Sequence, residues 1–114
     1  MVSTVNWVAA CSVDALDDEE SMVVPGIEGV ALHRAGDGHF YATSDSCTHE
    51  KWSLGEEGDI EGDEVTCTLH NARFDLRTGK ALCFPAMIDL LSYETKVEGD
   101  TVYVGSVPRA GGEG

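Results

Sequence analysis

The hydrophobic residues of this chain fall in short runs that are separated by turn-forming residues. Apolar residues cluster near Trp7 and again near Met22, whereas residues 27–33 alternate between apolar and polar side chains. Short runs of this kind, with turn residues at intervals of about eight to twelve positions, are typical of an all-β sandwich or barrel. The pattern therefore predicts one all-β domain over residues 1–106, followed by a flexible C-terminal tail over residues 107–114.

Glycine-containing turns divide the predicted strands into hairpins. Residues 36–38, Gly-Asp-Gly, are the predicted turn between a half-buried strand at 27–33 and a strand that starts at Phe40. Residues 98–100, Glu-Gly-Asp, close a second predicted hairpin near the C-terminus. The alternation at 27–33 predicts that one face of that strand contacts the core while the other face is solvated.

Three further segments are predicted to connect the strands. Ser12 is a candidate N-cap for a single helical turn, because its hydroxyl can accept a hydrogen bond from a backbone amide of that turn. Residues 17–20 are all acidic and predict a solvated turn. Residues 55–62 are rich in glycine and acidic side chains, and they also predict a surface connection.

The charge of the chain limits its possible partners. It has 7 Lys and Arg against 21 Asp and Glu, which gives a formal net charge of −14. This excess argues against nucleic acid, whose phosphates require a basic surface, and it favours steering toward basic protein surfaces. No apolar run approaches the ~18 residues that a membrane span needs, and the first residues lack a secretory signal. We therefore expect a cytoplasmic protein with no membrane partner.

Two cysteines and two histidines have no other cysteine or histidine at metal-ligand spacing in the sequence. Cys11 and Cys83 are expected to be reduced, small core residues, because thiols stay reduced in the cytoplasm. His33 and His39 have no partners at ligand spacing and are expected to be ordinary strand or surface residues.

The other cysteines and histidines form two mixed pairs. Cys47-Thr48-His49 is followed, after seventeen residues, by Cys67-Thr68-Leu69-His70. Thiolate and imidazole ligands suit zinc or iron–sulfur sites, although a structural zinc finger usually pairs Cys with Cys and His with His along the chain. One Cys and one His from each segment suit two adjacent metals, one held by both cysteines and one by both histidines, as in a Rieske [2Fe–2S] centre. A structural zinc module is the alternative.

In these motifs the chain resembles the small soluble Rieske ferredoxins of bacterial aromatic-ring dioxygenase systems, such as those of biphenyl and carbazole dioxygenases. The resemblance extends from Trp7 to Val104 and includes Arg77-Thr78-Gly79-Lys80. It implies an antiparallel β-sandwich base with a small cluster-binding subdomain at about residues 44–88. It also implies one [2Fe–2S] cluster, with the cysteines and histidines of the two motifs as its ligands.

The resemblance further implies a role in electron transfer without catalysis. The protein is expected to be a monomer that carries one electron from a flavin-dependent ferredoxin reductase to the Rieske centre of a terminal oxygenase. Docking is expected near the edge formed by His49 and His70. A small Rieske subunit of another redox enzyme, such as a nitrite reductase, is the alternative within the same resemblance.

Three positions differ from the high-potential Rieske proteins of respiratory complexes. Trp52 and Leu69 stand at the positions where those proteins have bridging cysteines, and Ala72 stands where they have a serine. The differences imply a low reduction potential, because hydrogen bonds to the cluster sulfurs raise it. The segment that contains Pro85 resembles the proline loop that covers the cluster in this family.

Overall fold

The fold is known from a computed structural model that describes residues 6–45, 53–67, 72–82 and 90–108. The described residues form nine strands, a four-residue α-helix and one turn of 3-10 helix. In chain order the elements are β1 (Trp7–Ser12), the 3-10 turn (Val13–Ala15), β2 (Glu20–Val23), β3 (Val30–Arg34), β4 (Phe40–Ser44), α1 (Leu54–Glu57), β5 (Asp59–Glu61), β6 (Glu64–Cys67), β7 (Ala72–Asp75), β8 (Ser92–Glu98) and β9 (Thr101–Pro108). The predicted all-β class is confirmed.

A six-stranded antiparallel sheet forms the base of the molecule, with the strand order β1-β9-β8-β4-β3-β2. β3 and β4 pair around the predicted turn at residues 36–38, and Gly38 adopts a φ of 89° there. β8 and β9 form the second predicted hairpin, with Gly99 at a φ of 61°. Both turns favour glycine because L side chains rarely tolerate positive φ. β9 continues through Pro108, past the point where the tail was predicted to begin.

β3 is buried on both faces, so the prediction of a half-buried strand at residues 27–33 is wrong. Residues 30–33 are each at most 1% exposed. Val30 and Leu32 belong to the apolar cluster of the six-stranded sheet. Ala31 and His33, on the other face of the strand, are each 0% exposed, and α1 packs against β2 and β3.

Residues 55–62, predicted to be a surface connection, contain most of α1 and all of β5, and Glu56, Asp59 and Glu61 are exposed there as predicted. The N-cap of α1 is Ser53, whose Oγ accepts a hydrogen bond from the Glu56 amide at 3.2 Å. Gly55 lies directly against β2, where a Cβ atom would stand 2.7 Å from the carbonyl carbon of Met22. The glycine therefore permits close packing of α1 on the sheet edge.

The two connections before β2 have the predicted secondary structure. Ser12 precedes a helical turn as expected, but its side chain makes no capping hydrogen bond. Residues 17–20 are exposed with a turn at 18–19, as predicted, and Glu19 Oε2 also accepts a hydrogen bond from the Gly62 amide at 2.9 Å. The Gly36 amide donates to the Gly62 carbonyl at 2.7 Å. These bonds attach the β5–β6 turn to the six-stranded sheet.

The described part of the molecule has two apolar clusters. One lies against the six-stranded sheet and contains Leu32, Val102 and Val104. The other lies against the three-stranded antiparallel sheet β5-β6-β7 and contains Leu54, Phe74 and other buried residues. Among the described residues, no helix has the length and apolarity to span a membrane.

Candidate metal centre

Cys67 is the predicted ligand that lies within the described residues. It is the last residue of β6, it pairs with Ala72 at the start of β7, and its thiol is free. Its side chain is 0% exposed. The other predicted ligands, Cys47, His49 and His70, lie outside the described residues, as do Trp52, Leu69 and Pro85.

Apolar side chains surround Cys67. They belong to the cluster of the three-stranded sheet, whose buried members are Ala35, Leu54, Ile60, Val65, Phe74, Leu76 and Leu90. A buried free thiol at the end of a hairpin suits a thiolate ligand of an iron–sulfur cluster, because dry surroundings limit solvent access to the sulfur. The described donor therefore fits the predicted cofactor.

The segment 46–52, which contains Cys47 and His49, has its two ends joined by hydrogen bonds. The Leu54 amide donates to the Asp45 carbonyl at 2.6 Å. The Asp45 carboxylate oxygen Oδ1 accepts from the Ser53 hydroxyl at 2.9 Å and from the Gly55 amide at 2.8 Å. Leu54 is itself buried in the cluster that contains Cys67, so the base of this segment and the β6–β7 hairpin share one core.

The ends of segment 83–89, which contains Cys83 and Pro85, are also fixed. Ala81 bridges to Phe74 of β7 in the antiparallel sense, and the Leu82 amide donates to the Arg73 carbonyl at 2.8 Å. The chain at Leu82 therefore runs toward the end of the hairpin that holds Cys67.

The chain after segment 83–89, at Leu90 and Leu91, returns to Ser44, close to the start of segment 46–52. The Leu90 amide donates to the Gly79 carbonyl at 2.7 Å. Leu91 and Ser44 exchange two hydrogen bonds, with the Ser44 amide donating to the Leu91 carbonyl and the Leu91 amide donating to Ser44 Oγ. Since Ser44 adjoins Asp45, the fold brings the described bases of these segments to one region of the molecule.

The charges on β7 and its following turn are mixed. Arg77 lies 3.3 Å from Asp63 and 3.4 Å from Asp75, and the side-chain hydrogen bond that Arg77 donates to Asp75 raises the pKa of Arg77. Arg73 lies 3.5 Å from Glu64. Arg73 and Arg77 thus each lie near a carboxylate, so positive and negative side chains are mixed on this side of the acidic protein.

The two other histidines have different environments, and His33 is a strand residue, as expected, that is fully buried. His33 is 0% exposed, and burial lowers its pKa to about 3. Its ring nitrogens contact Ser21 Oγ at 2.7 Å and Thr43 Oγ1 at 2.9 Å. His39 is an exposed residue whose ring contacts Asp37 at 3.0 Å, as a surface assignment predicts.

Sequence reasoning placed Cys11 in the core, and it missed Asp45 and Ser53. Cys11 is a free thiol at the edge of the apolar cluster of the larger sheet, partly exposed, and burial raises the pKa of its thiol. Cys83 lies outside the described residues. A signal for Ser53 was present, because Ser53-Leu54-Gly55-Glu56 matches the Ser-x-x-Glu pattern at a helix start.

Comparison with known proteins identifies similar chains. The family model for the Rieske [2Fe-2S] domain matches residues 6–94. The biphenyl dioxygenase ferredoxin subunit of Pseudomonas sp. (strain KKS102) is 43% identical over 96 residues, which are 83% of this chain and 87% of that protein. The biphenyl 2,3-dioxygenase ferredoxin component of Rhodococcus jostii (strain RHA1) is 51% identical over 79 residues, 69% of this chain and 72% of that protein.

A similar solved structure is a complex of reduced oxygenase and oxidized ferredoxin in carbazole 1,9a-dioxygenase. The matched chain superposes with a TM-score of 0.81 at 30% sequence identity, and the match covers 90% of this chain and 95% of that chain.

Proposed function

Because the chain belongs to the Rieske [2Fe–2S] domain family and carries one Rieske-type [2Fe–2S] cluster, we propose that it is a one-electron carrier of an aromatic-ring dioxygenase system. In this role it accepts an electron from a flavin-dependent ferredoxin reductase and passes it to the Rieske centre of a terminal oxygenase. The observation that carries the proposal is the similarity along most of the chain to proteins named dioxygenase ferredoxin subunits.

We assign Cys47 and Cys67 as the thiolate ligands of one iron and His49 and His70 as the imidazole ligands of the other. When bound, the cluster supplies a centre that takes up and releases one electron. Cys67 supports the assignment, because its thiol is free, buried and held at a hairpin end. The apolar cluster that contains Cys67 keeps water from the sulfur of this cysteine.

The alternatives from the sequence are less well supported. A zinc module does not agree with the family's cofactor, which is a [2Fe–2S] cluster. A nitrite reductase subunit is not favoured, because the curated relatives are named ferredoxin components of dioxygenases. We assign the chain no catalytic residue of its own.

The proposed partners are proteins that bind transiently. The solved complex of a ferredoxin with its oxygenase supports an oxygenase as one partner. We further propose a reductase as the other partner, a monomeric carrier in the cytoplasm, and docking near the edge formed by His49 and His70. The net charge of −14 suits partners with basic docking surfaces.

The proposal is tested by reducing the purified protein and mixing it rapidly with an oxygenase of the biphenyl type under anaerobic conditions. The expected result is a visible spectrum of a Rieske cluster, about two irons per chain, and oxidation of the carrier as the oxygenase becomes reduced. A colourless zinc protein, or a red protein that transfers no electrons to any dioxygenase oxygenase, would contradict the proposal.

The docking edge is tested separately by charge reversal. Glu50→Lys is placed next to His49, and the control Glu94→Lys changes an exposed residue of β8 in the six-stranded sheet. We expect the second-order transfer rate to change several-fold in the first variant and to stay within about twofold in the control. Equal effects of the two variants, at unchanged cluster content, would exclude this edge as the docking site.

A further inference from the structure

Asp45 is the residue through which the two ends of segment 46–52 meet. Its carboxylate oxygen Oδ1 accepts hydrogen bonds from the Ser53 hydroxyl and the Gly55 amide, at 2.9 and 2.8 Å. Its carbonyl accepts from the Leu54 amide at 2.6 Å, and its amide donates to the Gly29 carbonyl at 2.8 Å. One residue thus links the end of β4 to the start of α1 and to the turn before β3.

The groups that Asp45 binds are packed or hydrogen-bonded elsewhere in the fold. Leu54 is 0% exposed in the apolar cluster that contains Cys67. Gly55 lies against the backbone of Met22, where a Cβ would lie 2.7 Å from the nearest atom. Ser53 Oγ also accepts a hydrogen bond from the Glu56 amide as the N-cap of α1. The hydrogen bonds of Asp45 therefore connect it to the core and to the start of α1.

We propose that Asp45 is a positioning residue for the first ligand segment. Its hydrogen bonds join the two ends of segment 46–52, which contains Cys47 and His49, to the core that contains Cys67, and none of these bonds requires the cluster. The inference rests on the proposed ligand role of these residues. Its physical basis is that a carboxylate shared by two donors forms stronger bonds than neutral acceptors do, and that their loss leaves those donors without their partner.

The role is distinct from that of a ligand, because it is carried by Oδ1, which accepts from Ser53 and Gly55. It is also distinct from general stabilisation, since the side-chain bonds that a substitution removes join the two ends of one segment, whereas the bond to Gly29 is made by the Asp45 backbone and is retained. Loss of Asp45 should therefore loosen this base and shorten cluster retention more than it lowers global stability.

The test compares Asp45→Ala and Asp45→Asn with the control Asp37→Ala. Asn retains an oxygen that can accept from both donors, whereas Ala removes the acceptor. Asp37 is a matched control, because its Oδ1 also accepts a backbone amide, that of His39 at 3.0 Å, in an exposed turn between β3 and β4. All variants are purified with the cluster, and cluster loss to an iron chelator is followed by visible absorbance.

Asp45→Ala is expected to lose the cluster at least about ten-fold faster than the wild type, with Asp45→Asn closer to the wild type and Asp37→Ala within about twofold. Amide hydrogen exchange at Leu54 and Gly55 should speed up by a similar factor in Asp45→Ala and change little in Asp37→Ala. Global unfolding by urea, measured in parallel, should change by less than the local exchange does. Unchanged cluster retention and unchanged exchange in Asp45→Ala would overturn the proposal, as would equal damage by Asp45→Asn and Asp45→Ala.

A milder variant keeps the proposal testable if Asp45→Ala does not fold. Ser53→Ala removes one donor to Asp45 while leaving the Gly55 bond in place, and it should accelerate cluster loss a few-fold. No acceleration would overturn the proposal. Hydrogen exchange reports on the base of the segment whether or not electrons are transferred, so a failed carrier function and a failed role for Asp45 give different results.

Discussion

Acidification is expected to destabilise the folded protein through His33. The ring is fully buried in β3, and burial lowers its pKa from 6.5 to about 3. Thr43 Oγ1 donates its hydrogen to the Ser44 carbonyl at 2.9 Å, so it accepts from His33 Nε2–H, and His33 Nδ1 accepts from the Ser21 hydroxyl. The ring is therefore held as a neutral tautomer between two uncharged groups, and neither of them compensates an imidazolium charge.

The sign and size of the effect follow from proton linkage. The folded pKa lies below the unfolded value, so between about pH 3 and 6.5 the unfolded chain binds one more proton at this site than the folded chain does. The contribution of His33 to stability is complete above pH 6.5 and is lost as the pH falls toward 3. Between pH 6.5 and 4.5 the free energy of unfolding should decrease by about 2 kcal/mol from this residue alone.

The assay is urea unfolding at pH 6.5, 5.5 and 4.5 for the wild type, His33→Gln and His39→Gln. Subtraction isolates the histidine contribution, because the carboxylates are the same in all three proteins. His33→Gln should lack about 2 kcal/mol of the pH-dependent loss, while His39→Gln, whose side chain is 73% exposed in the wild type, should retain it. The reasoning is refuted if His33→Gln and the wild type lose stability equally. If His33→Gln is too unstable to measure, the ¹⁵N chemical shifts of the His33 ring in the wild type can be followed against pH instead. Titration of this ring near pH 6 would show that it is not buried and neutral, and would refute the reasoning.

Three further changes test other parts of the structure. Gly55→Ala should lower the free energy of unfolding by about 2 kcal/mol, because its Cβ would clash with the backbone of Met22; a neutral effect in urea unfolding would contradict the close packing of α1. Glu19→Ala should cost about 1 kcal/mol by removing the acceptor of the Gly62 amide, and Glu19→Gln should cost less because it keeps an oxygen there; equal costs would exclude that bond. Ala72→Ser should raise the midpoint potential, which we expect near −150 mV in the wild type, by offering a hydroxyl to a cluster sulfur; redox titration that finds no rise, or a wild-type value well above zero, would contradict the argument.

The parts of the fold that local sequence determines were predictable. The hairpin turns at residues 36–38 and 98–100 depend on glycine at positive φ, and that requirement acts within a few residues. The candidate ligands could be named without a structure, because ligand types and their spacing are visible in the chain itself. Of these candidates, Cys67 lies at the end of β6 and pairs with Ala72 of β7.

The parts that depend on contacts between distant residues were not predictable. The alternation at 27–33 assigned one face of the strand to solvent, but His33 on that face is 0% exposed and lies between Ser21 of β2 and Thr43 of β4. Its burial depends on elements distant in the chain, including α1, which packs against β2 and β3 and whose own sequence resembles a loop because Gly55 is needed for close approach. Asp45 gives no signal of its own, since a carboxylate before a cysteine is also an ordinary surface residue.

The described contacts indicate which part of the site is formed by the protein rather than by the cofactor. Asp45 joins the two ends of segment 46–52, Cys67 pairs with Ala72 between β6 and β7, and Leu91 is hydrogen-bonded to Ser44. None of these bonds involves a predicted ligand atom, so they do not need the metal in order to form. The conformational entropy of the residues at the ends of these segments is then lost during folding. Less of the binding free energy of the cluster is therefore needed to organise its ligands. A carrier that changes its redox state repeatedly benefits from such a frame, because a ligand set held by the fold moves little when the charge of the cluster changes.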